Sequence, residues 1–324
     1  MEEAHREDGS KASRVLEPER LLMMAIELDH APDGVWDAID RLAESGLSKL
    51  LDILAAAPHS SWVASDAWHR AITHDRLRSL VDAEPPDLGL LEQVLAGIGA
   101  ADAGVLLDLL TESDSLSTRR RLFSRLTELA PDIGTEIVRR LSDERWFARR
   151  NMLQLLGEFT DWPRRWSPLE LSEDPHPAVR RESFKLLLRV PEHRDRALCG
   201  LLADTDRRAM SLGLAAATES CPPEGIDLLA AIVRDESVSP ELRVMGVRAL
   251  GLTGSAAAVV PMTELIQRGS GLVRRRLAEK SPVMLAALQA LSAFAGDLDA
   301  ETRRLLSRAA RSDDPAIRDA VGRS

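Results

Sequence analysis

The chain has 324 residues, enough for two ordinary domains or one extended array, and it carries 42 Lys and Arg against 52 Asp and Glu. Tyrosine is absent and aromatics make up 3%. Strands favour β-branched and aromatic side chains, so this composition excludes a sheet-rich fold and predicts an all-α protein. Cys199 and Cys221 form neither a disulfide framework nor a CxxC site, and they are expected to be reduced thiols.

Residues 1–16 are polar and acidic without apolar periodicity, which predicts a disordered tail. They contain no apolar signal-peptide core and no arginine-rich transit character. The longest apolar runs, such as Ala256–Met262, are too short to span a bilayer. These features lead us to expect a cytoplasmic protein without membrane contact. Pro18 opens a predicted helix through Leu28, and DHAPDG ends it. Further helices are predicted at Val35–Glu44, with Trp36, Ile39 and Leu42 on one side, and at Leu47–Ala57. Two more follow, at Trp62–Ala83 with an interruption and at Leu88–Ile98. Residues 17–102 therefore read as a divergent helical part.

From residue 103 the pattern is regular. Helical pairs are predicted at 103–112 with 117–129, 133–142 with 146–158, and 163–172 with 177–189, where Pro163 and Pro168 weaken the first member. The series continues with 193–203 and 206–218, 224–234 and 240–251, then 256–280 and 282–295. The segment 256–280 is long and carries an insertion or a break at Gly269–Gly271. The last pair, 300–311 with 315–322, leaves an apolar face for more chain or a partner to cover. Since only short links interrupt residues 103–324, we expect one elongated array with a variant N-terminal part.

The array is organised on a repeated motif, seen best in Ser239–Gly254, SPELRVMGVRALGLTG. Pro240 suits the first helical turn, where its missing N–H costs nothing. Leu242, Gly246, Ala249 and Leu250 fall on one helical face, two of them small enough for a neighbouring helix to come close, and Gly251 and Gly254 supply stop signals. The Pro-x-x-Arg entry recurs at Pro177–Arg180 and Pro315–Arg318, and Trp146–Arg149 is a version with tryptophan in the proline slot. Arg149, Arg180, Arg243 and Arg318 are spaced by 31, 63 and 75 positions, close to one, two and two units. Degenerate copies at Asp206–Ala217 and Pro282–Gly296 fill the gaps. Such a fixed period predicts a solenoid, in which no unit buries its apolar face alone.

Pro-x-x-Arg followed by Ala-Leu-Gly resembles HEAT repeats, in particular the short bacterial type also found in phycobilisome-lyase-like proteins. The resemblance is clearest over residues 118–324. It implies a right-handed, armadillo-like α-solenoid whose concave surface is lined by the second helix of each pair. It also implies that the entry arginines stack with turn aspartates between neighbours, and Asp143, Asp174 and Asp313 stand where it places the acid.

The search for catalytic chemistry is negative. Gly97, Gly99 and Gly104 do not form GxGxxG, and there is no GxxxxGK[ST], GxSxG or HExxH. Asp66 and His69 stand at i,i+3, a spacing that a solvated capping pair explains. No metal site or cofactor is expected. One cluster suits recognition: Trp146, Arg150, Trp162, Arg164, Arg165 and Trp166 lie close together in sequence, and Arg and Trp are enriched at binding hot spots. A packing role is open to the same segment, with Trp146 filling the proline slot, Arg149 in the Asp–Arg stack, and Trp162 and Trp166 covering a weak helix. The basic runs Arg119–Arg121 and Arg274–Arg276 point in several directions on a helix and read as solvated faces.

Charge is uneven: residues 1–117 hold 9 Lys and Arg against 23 Asp and Glu, while 118–194 hold 16 against 12. The expected function is a non-enzymatic scaffold that binds another protein. HEAT-like DNA glycosylases use Trp, Arg and a catalytic Asp on the concave face of such an array, and this chain shares the residue types without their ordered motif. A nucleic-acid partner is the alternative, opposed by the net charge of −10. An accessory lyase of the phycobilisome type is a weaker alternative, resting on the repeat resemblance alone.

Overall fold

The computed structural model describes residues 17–83, 85, 87–113, 115–163, 166–268, 276–294 and 296–322. The tail 1–16, Arg164, Arg165 and the Gly269–Gly271 break lie outside them, as does most of the Arg274–Arg276 run. The described residues are all-α, apart from one ribbon of two-residue strands, β1 (Gln267–Arg268) and β2 (Arg276–Leu277), paired antiparallel. They divide into two compact units. One reaches Ile137 and includes Glu158–Asp161; the other comprises Val138–Gly157 and the chain from Trp162.

The first unit holds α1 (Pro18–Leu28), α2 (Val35–Ser45), α3 (Leu47–Ala55), α4 (Trp62–Ala71), α5 (His74–Asp82), α6 (Leu88–Gly97), α7 (Ala103–Glu112) and α8 (Leu116–Glu128). The predicted interruption of Trp62–Ala83 falls at Thr73, whose hydroxyl accepts from Arg76 N–H and starts α5. Ser61, Asp87 and Ser115 start α4, α6 and α8 in the same way. The core of α1 to α4 is built on Leu22, Ile26, Val35, Ile39, Leu50 and Val63. Each large aliphatic side chain buried there contributes about 1.5–3 kcal/mol.

After α9 (Gly134–Arg139), the second unit runs through α10 (Trp146–Gly157), α11 (Pro177–Leu187), α12 (Arg194–Ala203), α13 (Arg207–Glu219), α14 (Pro223–Arg234) and α15 (Pro240–Leu252). It closes with α16 (Val259–Ile266), α17 (Pro282–Ser292), α18 (Ala300–Ala309) and α19 (Pro315–Gly322). Proline stands in the first turn of α11, α14, α15 and α17, as the motif requires. Within this unit α12 packs on α14 and α14 on α16, while α10, α11, α13, α15, α17 and α19 each touch the next. Helices that share a place in the predicted pairs therefore share a layer, and Leu198, Leu214, Leu229, Val247, Met262 and Leu288 lie in the core.

Two expected helices are shorter than the sequence suggests. Among the described residues of 163–172 the only helix is a 3-10 turn, Pro168–Leu171. Pro163 and Pro168 remove two backbone donors, and Ser167 is extended at φ −135° and ψ 137°, as a residue before proline prefers. In the predicted 256–280 segment, α16 ends at Ile266 and the described residues that follow belong to the β1–β2 ribbon and the chain after it.

Candidate interaction surface

Three of the entry arginines, Arg149, Arg180 and Arg318, share one local geometry, and Arg119 adopts it too. Arg149 Nη1 donates to Asp143 O at 2.7 Å, six residues back, and Arg180 Nη1 donates to Asp174 O at 2.9 Å. Arg119 Nη1 reaches Ser113 O at 2.8 Å and Arg318 Nη1 reaches Ser312 O at 2.6 Å, at the same separation. A carbonyl in the turn before each helix thus finds a charged donor.

Two of these arginines also tie neighbouring turns together. Arg149 grips Asp174 through Nε at 2.8 Å and Nη2 at 3.0 Å. Arg180 holds Asp204 in the same two-pronged way, at 2.8 Å from each nitrogen. Asp174 and Asp204 also accept from backbone N–H groups two residues on, at His176 and Asp206. Their side chains are 4% and 3% exposed. Burial alone would raise the Asp204 carboxyl, yet the Arg180 guanidinium and the Asp206 N–H hold it below its ordinary value. Asp143, at the start of this ladder, is held by Arg145 beside it. Asp204 is absent from the expected acids, although it follows Asp174 by 30 positions, nearly the interval that separates Asp143 from Asp174. At the last turn Asp313 contributes its backbone carbonyl to Arg318, and Asp314 is the acid that accepts from Ala316 N–H. Arg243 donates to Val233 O at 2.9 Å.

The predicted arginine–tryptophan segment separates into two clusters. Trp146, at the start of α10, lies flat on the His176 imidazole, with centroids 3.8 Å apart and planes 6° off parallel. The Arg150 guanidinium sits 5.6 Å from the Trp146 ring and donates to Asn151 Oδ1. Phe147 meets Trp146 edge-on, and Arg145 lies over Phe147. Trp146 nonetheless keeps 37% of its surface exposed. Trp162 and Trp166 meet edge to face at 5.7 Å beyond the other end of α10. Trp162 Nε1 donates to Leu156 O at 2.9 Å, and Arg189 stacks on its ring. The 12 residues of α10 put roughly 18 Å between the two clusters. Arg164 and Arg165 lie outside the described residues. His176 was missed in the sequence, although it is 30 positions after Trp146 and immediately precedes the next entry proline.

Among the described residues no group of three or more His, Cys, Asp or Glu side chains is arranged to hold a metal ion. No single described helix is long and apolar enough to cross a membrane. Burial raises both thiols, with Cys221 pushed up to about 11, so neither is set up as a nucleophile. Compared with protein-family models and with curated proteins, the chain matches none.

Proposed function

We propose that the chain is a protein-interaction scaffold built as a right-handed HEAT-like α-solenoid, and that its partner docks on the Trp146 end of α10. The layered helices of the second unit and the arginine contacts repeated six residues back support the repeat reading. The partner reading rests on one observation, the partly exposed Trp146 side chain stacked on His176 with the Arg150 guanidinium over its ring. A rigid aromatic body beside a cation is the usual anchor of a protein hot spot, and it loses little side-chain entropy on binding. Trp162 and Trp166 hold each other and the end of α10, which suits a packing role.

Capture from the native host by the intact chain, beside Trp146→Ala with Arg150→Ala, tests the proposal. The expected result is a protein retained by the parent and lost by the double variant, with melting temperatures within a few degrees and a shallow salt dependence. Retention by both forms would reject the Trp146 site. Tight duplex DNA binding with a steep salt slope would replace the protein partner by a nucleic acid.

A further inference from the structure

The first unit holds a cleft of about 590 Å³, formed by α3, the turn after it, α4, α6 and Asp102. Its volume is in the range of small-molecule sites, roughly 300–1,000 Å³. Leu51 and Leu54 line one side, and the Trp68 indole faces it from α4. Trp68 lies across Gly97: a Cβ there would fall 2.1 Å from its Cη2 atom. Only a residue without a side chain admits the ring in this position, so the aromatic wall is fixed by the backbone of α6.

The polar lining is one-sided. Ser48 Oγ donates to Gln93 Oε1 at 3.0 Å, which turns the amide so that Nε2 donates to Asp52 Oδ1 at 3.2 Å. Asp52 is thereby presented with one oxygen engaged. Opposite α3, Asp102 Oδ2 stands 3.6 Å from His69 Nε2. The partner of His69 is thus Asp102 rather than Asp66. His69 Nδ1 lies 2.8 Å from Ser65 O and donates to that carbonyl, which leaves Nε2 toward Asp102. The lining contains two carboxylates, Asp52 and Asp102, and two imidazoles, His59 and His69, but no Lys or Arg. The surrounding sequence, residues 1–117, is itself strongly acidic, with 23 Asp and Glu against 9 Lys and Arg, and its field draws cations toward the mouth.

We propose that this cleft binds a small organic ammonium ion with an apolar body. The ammonium group is taken by the carboxylates of Asp52 and Asp102, and the apolar body lies against Leu51, Leu54 and the Trp68 ring. An indole face attracts a cation as well as covering hydrocarbon, so one wall serves both halves of the ligand. An anion would meet two carboxylates and no Lys or Arg, and a neutral ligand would leave both carboxylates unused. This site is independent of the Trp146 surface, and either can fail alone.

The test is calorimetric titration of the intact chain with three probes of matched shape: 2-phenylethylammonium, 2-phenylethanol and 3-phenylpropanoate. The ammonium is expected to bind about tenfold more tightly than the alcohol, and the carboxylate more weakly than both. Asp102→Asn and Asp52→Asn, conservative changes at the rim, should each weaken the ammonium by about three- to tenfold and leave the alcohol unchanged. Trp68→Leu should weaken both neutral and cationic probes; circular dichroism checks that it folds, and the two Asn variants carry the test if it does not. Equal affinity for the ammonium and the alcohol, or Asn variants that bind the ammonium as the parent does, would overturn the proposal. A lysine-containing peptide that displaces the amine at lower concentration would replace the small ligand by a basic segment of a protein.

Discussion

Two stretches of the second unit hold neighbouring turns and helices together by different chemistry. From Asp143 to Asp204 the ties are ionic: Arg149 to Asp174, then Arg180 to Asp204. The arginine slot that would follow holds Met210, and the ladder stops. Farther along, Arg243 holds a backbone carbonyl, the slot three residues after Pro282 is Leu285, and the helices close on small residues instead. A Cβ on Gly246 would lie 2.8 Å from Val233 Cγ1, and one on Gly251 would lie 2.9 Å from the Ala290 Cβ. The comparison teaches that one position in the repeat can preserve a turn while the tie between neighbours passes from charge to close packing. The ionic form demands both partners, because a lone buried charge is costly. The packed form demands the absence of a side chain.

The largest expected effect is in the ionic stretch. Arg149→Ala strands the Asp174 carboxylate, which is 4% exposed, and should destabilise the protein by about 3–5 kcal/mol in urea unfolding. Replacing both members, Arg149→Met with Asp174→Leu, should cost less than the single change, since no charge is left unpaired. A double variant less stable than Arg149→Ala would show that the pair is not the tie.

Gly246→Leu tests the packed stretch. The new side chain meets Val233, Leu214 and Ile232, and overpacking should cost about 1–3 kcal/mol. An unchanged melting temperature would mean that α15 and α14 do not close here. Arg243→Ala should cost less again, about 1 kcal/mol, because one hydrogen bond to Val233 O is lost and no carboxylate is stranded. If Arg243→Ala equalled Arg149→Ala, the difference between the two stretches would vanish.

The smallest expected effect is the acid dependence of the ladder. Asp204 is held below its ordinary value of 3.8 in the folded chain. A carboxylate depressed by folding contributes stability that is present above its unfolded value and is lost as pH falls through the folded one. Stability should therefore decline as pH drops below about 4. Asp204→Asn should be less stable than the parent at neutral pH and decline less steeply in acid. Parallel acid slopes for the two proteins would exclude Asp204 as a source of the decline.

Much of the fold was legible because the signals are local. The helix starts at Pro18, Val35, Leu47, Trp62 and Leu88 follow from proline, capping groups and apolar spacing, and each is observed. Gly246, Ala249 and Leu250 are buried as the face pattern requires, while Leu242 is only half-buried and Val247 joins the core. The 163–172 helix was overestimated because the prolines there cost more than the apolar spacing returned. The candidate sites were less legible. Trp146 and Trp162 are neighbours in sequence yet sit at opposite ends of α10, and the stacking partner of Trp146 is thirty residues away.

The sequence by itself determined the helical class, nearly all helix starts and the positions of the recurring entry arginines. Those depend on interactions within a few residues, which an ordered chain repeats wherever the pattern recurs. Only the tertiary structure decided which acid each arginine holds, that Trp146 lies on His176, and that Asp52, Trp68 and Asp102 line one cleft. These groupings join residues 16 to 50 positions apart, and the period alone does not say which side chains of adjacent layers will face each other. Packing settles that, because helices approach where small residues allow and buried charges must find a partner.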